Sequence, residues 1–220
     1  MTELDLKTAR ENMVEQQLRT WEVLNDQILE TLESIPREAF TPQTYRNLAY
    51  ADMQIPIGHG EVMLEPKVEG RMLQALDPQA DDRILEIGTG TGYLTACLAR
   101  LGGHVTSIEL YPEFIETAKK HLEREAIKNV RLETGDAARG WNDGNHYDVI
   151  TVTGSLPELH QGFHQSLTEG GRLFVITGQA PIMEALLITR VSENQWSTES
   201  LFDTFAPSLV GAPITQHFSL

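Results

Sequence analysis

The pattern of apolar and polar positions changes near residue 83 of this 220-residue chain. Before it, apolar residues recur at helical spacing in three stretches, at residues 8–20, 25–34 and 66–76. After it, short apolar runs alternate with amphipathic stretches, which predicts alternating strands and helices. We therefore expect an α/β fold with a doubly wound, mostly parallel sheet over residues 81–220 and an N-terminal helical cap over residues 1–80, together forming one compact unit.

The core pattern predicts five strands, a late hairpin and three helices. The strands are expected at residues 84–87, 104–108, 129–134, 147–153 and 172–177, and the hairpin at residues 186–191 and 196–205. The helices are expected at residues 93–101, 112–125 and 158–167, followed by a turn at Gly170 and Gly171. In the cap, Asn25 is a plausible helix N-cap. Prolines and glycines predict loops at residues 36–42 and 55–60, the second of them ordered.

A glycine-rich loop follows the first predicted strand of the core. Residues 88–92 read Gly-Thr-Gly-Thr-Gly, a helix comes next, and the second strand ends on Glu109. Glycines let the backbone turn tightly and bring its N–H groups close to a ligand. A carboxylate at the end of the second strand is placed to accept hydrogen bonds from ribose hydroxyls. This order of elements predicts the nucleotide half-site of a doubly wound fold.

The details of the loop indicate which nucleotide it binds. A dinucleotide fingerprint, counted from Gly88, requires a third glycine at the position of Tyr93. Glu86, at the end of the strand, would repel a pyrophosphate and attract an ammonium or a sulfonium. These signs favour S-adenosylmethionine over a dinucleotide. A purely structural glycine turn is the remaining alternative.

Other polar residues each have a plain alternative to a functional role. Asp136 follows the third strand, where it would hold an adenine group or cap a short turn. His59, between two glycines, would fix its loop by a hydrogen bond or contact a substrate. His160 and His164 are four residues apart on a predicted helix, but no third ligand of suitable spacing lies nearby, so no metal is expected.

The amino-acid composition limits the classes of partner that the protein can have. The chain has 17 Lys and Arg against 32 Asp and Glu, a net charge of −15, which argues against nucleic acid as a partner. No apolar run has the length of a membrane span, and the N-terminus lacks a signal-peptide core. The single cysteine, Cys97, excludes a disulfide framework. We expect a cytoplasmic protein that does not bind membranes.

Residues 57–60 (I-G-H-G) together with residues 84–95 resemble the protein-L-isoaspartate O-methyltransferase family. Further support comes from residues 35–40, 48–50, 147–153 and 170–173, and the resemblance covers residues 9–212. It implies a Rossmann-like class I fold that uses S-adenosylmethionine and releases S-adenosylhomocysteine. The implied activity is methyl esterification of the free carboxylate of isoaspartyl residues in aged proteins, a protein-repair reaction. Because a carboxylate is already ionised at neutral pH, no catalytic base is expected.

The resemblance also implies a set of binding residues. The methionine end of the donor would contact Glu86, Gly88, Gly90 and Gly92. The ribose would contact Glu109, with Leu110 beside it, and the adenine would contact Asp136 and Ala137.

The acceptor side departs from the family pattern. After I-G-H-G the family usually reads Q-T-I-S-x-P, whereas this chain reads E-V-M-L-E-P over residues 61–66. The candidate substrate-binding residues are His59, Val62 and Leu64, of which the last two replace hydroxyl residues, while Glu61 and Glu65 add negative charge. Three functions stay open. They are methylation of an isoaspartyl peptide or protein, methylation of another carboxylate or small molecule, and donor binding without turnover.

Overall fold

The computed structural model describes residues 3–213; residues 1–2 and 214–220, which the predicted cap and core include, lie outside the described part. The α-helices are α1 (Glu3–Met13), α2 (Asp26–Ser34), α3 (Pro66–Leu76), α4 (Tyr93–Leu101) and α5 (Pro112–Arg124). A π-helical turn (Val14–Leu18) and a 3₁₀ turn (Arg19–Trp21) continue α1, and further 3₁₀ turns span Arg37–Ala39, Gln43–Leu48 and His164–Ser166. As predicted, the Asn25 side chain accepts backbone N–H groups at the start of α2.

Nine strands form two sheets in this part of the chain. A small sheet pairs β1 (Ile55–Gly58) with β2 (Glu61–Met63). The large sheet contains β3 (Arg83–Ile87), β4 (His104–Glu109), β5 (Val130–Thr134), β6 (Tyr147–Leu156), β7 (Leu167–Gln179), β8 (Ile182–Ser192) and β9 (Gln195–Asp203). Its order is β5-β4-β3-β6-β7-β8-β9, in which β3 to β7 are parallel and β8 and β9 antiparallel. The predicted mostly parallel α/β fold is confirmed.

The topology determines where a ligand can bind. From β3 the chain moves outward to β4 and β5, then returns to the other side of β3 to form β6 and β7. The strand order therefore reverses beside β3. In open α/β sheets, ligands bind at the carboxyl ends of the strands at this reversal.

The two faces of the large sheet are covered differently. One apolar cluster joins one face to α1–α4 and to Leu122 of α5. The cluster on the other face contains no residue of an α-helix and includes Phe163, with Trp141 packed against it, both from irregular segments. No helix within residues 3–213 is long and apolar enough to span a membrane.

Three local predictions are wrong. Residues 158–167 form no α-helix: they contain the 3₁₀ turn His164–Ser166 and the first residue of β7, and Gly162 packs tightly against the Arg139 carbonyl. Gly170 and Gly171 do not separate a helix from a strand; they lie inside β7, where the pairing with β6 shifts register as at a β-bulge. Residues 55–60 belong to the β1–β2 hairpin and not to a loop; the proline and the two glycines among them had indicated a loop.

Candidate active site

The glycine loop between β3 and α4 is fixed by hydrogen bonds that neighbouring strands make with its backbone. The N–H of Gly88 donates to the Ile108 carbonyl at 2.8 Å, and the Thr153 hydroxyl donates to the carbonyls of Ile87 and Gly88. Gly88, Gly90 and Gly92 have φ angles of 97°, 52° and 85°, which only glycine adopts without strain. Gly88 and Gly90 line a cavity at the carboxyl edge of the sheet. Gly92 is not on the cavity wall; it precedes α4 and packs against Ala118.

Glu109 connects two sides of this cavity. One carboxylate oxygen accepts the N–H of Gly90 at 2.8 Å, and the other accepts the N–H of Tyr111 at 3.0 Å. Glu109 and Leu110 both line the cavity. Glu109 therefore fixes the glycine loop and at the same time presents negative charge to a ligand.

Glu86 does not take the place that the sequence argument gave it. Its side chain is completely buried and is not among the residues that line the cavity. One oxygen accepts the hydroxyls of Thr95 and of Ser107, the latter at 2.6 Å, while the other has no hydrogen-bond partner. Burial raises the pKa of Glu86 to about 8, with the two hydroxyls opposing that rise. Because the Ser107 hydroxyl also lies 2.6 Å from the hydroxyl of Thr89 in the loop, Glu86 supports the loop indirectly and does not line the cavity.

Asp136 and Ala137 complete the donor side of the cavity. Both line its wall where the chain leaves β5. One oxygen of Asp136 also accepts the N–H of Ala138 at 3.0 Å. The two alternatives for Asp136 are thus compatible, since it caps a turn and lies on the cavity at once.

The β1–β2 hairpin forms the opposite wall. Its two-residue turn, His59 and Gly60, has φ angles of 54° and 86°, as a type I′ turn requires. The His59 ring stacks on Tyr111 at 4.1 Å between centroids, and its Nε2 lies 2.7 Å from a carboxylate oxygen of Glu113. His59 is absent from the cavity wall, so the geometry supports loop fixing and not substrate contact.

The acceptor side contains the residues where the chain departs from the family pattern. Val62 and Leu64 line the cavity, whereas Glu65 does not. The Leu64 carbonyl accepts an N–H of the fully buried Arg37 at 2.6 Å. Arg37 also pairs with buried Glu69, whose pKa burial raises to about 7 against the opposing effect of the arginine.

Sequence reasoning did not identify two parts of this wall. The first is Glu69 of α3, which lines the wall while its ion-pair partner Arg37 is fully buried; Glu69 was detectable because it lies between the apolar residues Val68 and Met72. The second is the segment after β9, from which Pro207, Leu209 and Val210 reach the cavity. Backbone hydrogen bonds to Ser155 hold this segment beside β6. No periodic pattern marked it.

The charge of the cavity has one sign. Four carboxyl side chains line it, those of Glu61, Glu69, Glu109 and Asp136, and no Lys, Arg or His within residues 3–213 does so. The acidic side chains on the wall are therefore others than Glu86, and one of them, Glu69, is already paired with Arg37. No group of three or more His, Cys, Asp or Glu side chains in the described part of the chain could hold a metal ion.

A mostly parallel sheet with a glycine loop after β3 and a carboxylate at the end of β4 defines a Rossmann-like protein of the class I methyltransferase type. The family profile of protein-L-isoaspartate(D-aspartate) O-methyltransferase (PCMT) matches residues 8–204. The chain belongs to this family.

Individual relatives agree with that assignment over most of their length. Protein-L-isoaspartate O-methyltransferase 1 of Rhodopseudomonas palustris (strain HaA2) is 38% identical over 203 residues, or 92% of this chain and 83% of the relative. Protein-L-isoaspartate O-methyltransferase 2 of Marinobacter nauticus is 36% identical over 207 residues, covering 93% and 94% of the two chains.

A solved structure supports the fold. A Plasmodium falciparum protein described as a protein-L-isoaspartate O-methyltransferase, crystallised with S-adenosyl-L-homocysteine, superimposes with a TM-score of 0.77. The match covers 93% of this chain and 97% of that one at 20% sequence identity. At this identity the likeness concerns the fold.

Proposed function

We propose that this protein is an S-adenosylmethionine-dependent O-methyltransferase that esterifies the carboxylate of isoaspartyl residues in peptides and proteins. The observation that carries the proposal is the cavity between the glycine loop and the β1–β2 hairpin, in a chain that matches the family over residues 8–204. Its relatives are named for this reaction. We further propose that it acts in the cytoplasm as a protein-repair enzyme.

The donor side of the cavity fits S-adenosylmethionine. Gly88 and Gly90 leave room for close approach of a ligand to the backbone, and Glu109 is placed for ribose hydroxyls. Leu110, Asp136 and Ala137 would contact the adenine side. Gly92 would act through the backbone geometry of the loop and Glu86 by supporting it, so neither needs to touch the donor.

The proposed reaction requires mainly that the protein position the methyl donor and the acceptor. The donor supplies a methyl group on a sulfonium, and transfer to an oxygen is an in-line displacement. A carboxylate acceptor is ionised at neutral pH and needs no general base. The hairpin and the segment after β9 would align the acceptor and exclude water.

A second candidate rests on the apolar acceptor side. Val62 and Leu64 present hydrocarbon where the family pattern has hydroxyls, and Glu61 adds a negative charge near the entering carboxylate. This wall favours a less polar acceptor, such as a small molecule that carries a carboxylate beside an apolar group. Donor binding without turnover is the remaining alternative.

One experiment separates the three functions. The protein is incubated with S-adenosylmethionine labelled in the methyl group and an isoaspartyl peptide; the same peptide with ordinary aspartate is the control. Base-labile label on the isoaspartyl peptide alone is the expected result. Label on a component of a small-molecule extract, with none on the peptide, supports the second candidate. Donor binding by calorimetry without label on any acceptor indicates loss of turnover.

A further inference from the structure

The hairpin places Glu61 in a fixed position. Glu61 is the first residue of β2 and pairs with Gly58 across the turn. The turn itself is held by the stacking of His59 on Tyr111 and by the contact of His59 with Glu113. Because both ends of the turn are fixed, the Glu61 side chain is directed to the cavity wall.

Glu61 and a second carboxyl side chain, that of Glu109, line the same cavity. Glu61 is half-buried, and burial together with Glu109 raises its pKa, while His59 opposes the rise. Glu109 cannot turn away without losing the N–H groups of Gly90 and Tyr111. The cavity thus holds two neighbouring carboxylates, and no cationic side chain of the described residues lines its wall.

A cationic ligand relieves this repulsion, whereas a neutral one does not. S-adenosylmethionine carries one more positive charge than S-adenosylhomocysteine, because loss of the methyl group converts the sulfonium into a thioether. The family pattern has glutamine at the position of Glu61. The extra negative charge is therefore a departure of this chain from that pattern.

We propose that Glu61 is a specificity-determining residue that makes the cavity favour the cationic donor over the product, so that methyl transfer itself weakens binding and promotes product release. This inference rests on the proposed function, since it concerns the ligands of the same site. It assigns Glu61 to selection of the donor, not to the methyl-transfer step.

The test compares the affinities of three ligands by isothermal titration calorimetry. They are S-adenosylmethionine, S-adenosylhomocysteine and sinefungin, which has an ammonium-bearing carbon in place of the sulfonium. For Glu61→Gln, we expect the preference for S-adenosylmethionine over S-adenosylhomocysteine to fall about fivefold to tenfold. The preference for sinefungin over S-adenosylhomocysteine should fall in parallel. The difference from wild type should shrink as salt is added.

Two further variants separate charge from structure. Glu65→Gln makes the same change in net charge four residues away, outside the cavity wall, and should leave all three affinities unchanged. Glu61→Asp keeps the charge and should retain most of the preference. Unchanged affinity ratios in Glu61→Gln, with all ligands still binding, would overturn the inference alone. Failure of the wild-type protein to bind either adenosyl ligand would overturn the proposed function with it.

Discussion

The donor side and the acceptor side of the cavity are built by different means. On the donor side, glycines provide the required backbone conformations, and residues of the neighbouring strands, Ile108, Glu109 and Thr153, make hydrogen bonds with the backbone of the loop. On the acceptor side, long-range side chains fix the wall: Arg37 holds the Leu64 carbonyl from 27 residues away, and His59 attaches the hairpin to α5.

This difference predicts two kinds of sensitivity. The donor side should fail when a side chain is added, because its glycines lie against other atoms. The acceptor side should fail when a charge or hydrogen bond is removed, because a few buried polar groups hold it. The predictions below test that contrast.

The largest effect is expected from Arg37→Met. The substitution leaves Glu69 buried without its cation and removes the donors to the carbonyls of Ala49 and Leu64. Breaking one half of a buried ion pair should lower the free energy of unfolding by about 3–5 kcal/mol. Urea denaturation measures it.

A second substitution shows whether the charge is responsible. Adding Glu69→Met to Arg37→Met removes the unpaired carboxyl and should restore a large part of the lost stability, because an apolar pair of similar volume often replaces a buried ion pair. A double variant no more stable than the single one would show that the hydrogen bonds to Ala49 and Leu64, not the pair, hold the wall.

On the donor side, Gly88→Ala should be nearly as damaging. Its Cβ would lie 2.2 Å from the Thr153 hydroxyl oxygen, at a φ of 97°. Strain and overlap together should cost about 2–4 kcal/mol and weaken donor binding at least tenfold, measured by denaturation and calorimetry. Gly60→Ala is the matched control: its φ is 86°, but its Cβ would meet no atom within 4 Å, so only backbone strain applies. Equal losses in both variants would contradict the steric account.

Leu64→Ser tests the acceptor side without touching the donor side. A hydroxyl at this position would give an isoaspartyl carboxylate an orienting hydrogen bond, so turnover should rise about tenfold to a hundredfold, equivalent to roughly 1–3 kcal/mol. Leu64→Ala removes the same bulk without adding a hydroxyl and should not raise the rate. If both variants gain equally, space and not hydrogen bonding limits the acceptor.

The sequence predicted the donor side more fully than the acceptor side, for a physical reason. The backbone conformations of Gly88 and Gly90 require glycine, and a residue at the carboxyl end of a parallel strand, such as Glu109, must lie at the carboxyl edge of the sheet. Both constraints can be recognised in the local sequence. The hairpin turn, by contrast, reads His-Gly, and the residues that His59 contacts, Tyr111 and Glu113, lie far from it in the sequence.

The direction in which side chains point was the main property that could not be predicted from the sequence. Glu86 lies within two residues of the glycine loop, yet it faces Thr95 and Ser107, because adjacent residues of a strand point to opposite sides. The sequence analysis therefore predicted negative charge at the cavity correctly but assigned it to Glu86, which does not line the cavity. The four acidic residues of the wall come from four separate segments, β2, α3, the end of β4 and the turn after β5, and only the folded chain brings them together.

Glu86 itself gives the most specific prediction, which concerns the dependence of stability on pH. Its pKa is about 8 in the folded protein against an ordinary value of 4.5, so between these values the folded state binds a proton that the unfolded state releases. The free energy of unfolding should therefore fall as pH rises from 5 to 8, by on the order of 1 kcal/mol per pH unit from this group. Glu86→Gln cannot release the proton, so its stability should depend less steeply on pH. Glu69, also raised, to about 7, is kept in the variant and should leave a residual slope.

The measurement is urea denaturation of wild type, Glu86→Gln and Glu123→Gln at several pH values from 5 to 8. Glu123 is exposed on α5, so its substitution controls for the change in net charge. The stability difference between Glu86→Gln and wild type should become more favourable to the variant as pH rises, whereas that of Glu123→Gln should stay nearly constant. A constant difference for both would mean that Glu86 is ionised in its buried position. An ionised Glu86, bonded by the hydroxyls of Thr95 and Ser107, would then lie on the donor side, whereas the buried carboxyl group of the acceptor side, Glu69, has Arg37 as its cationic partner.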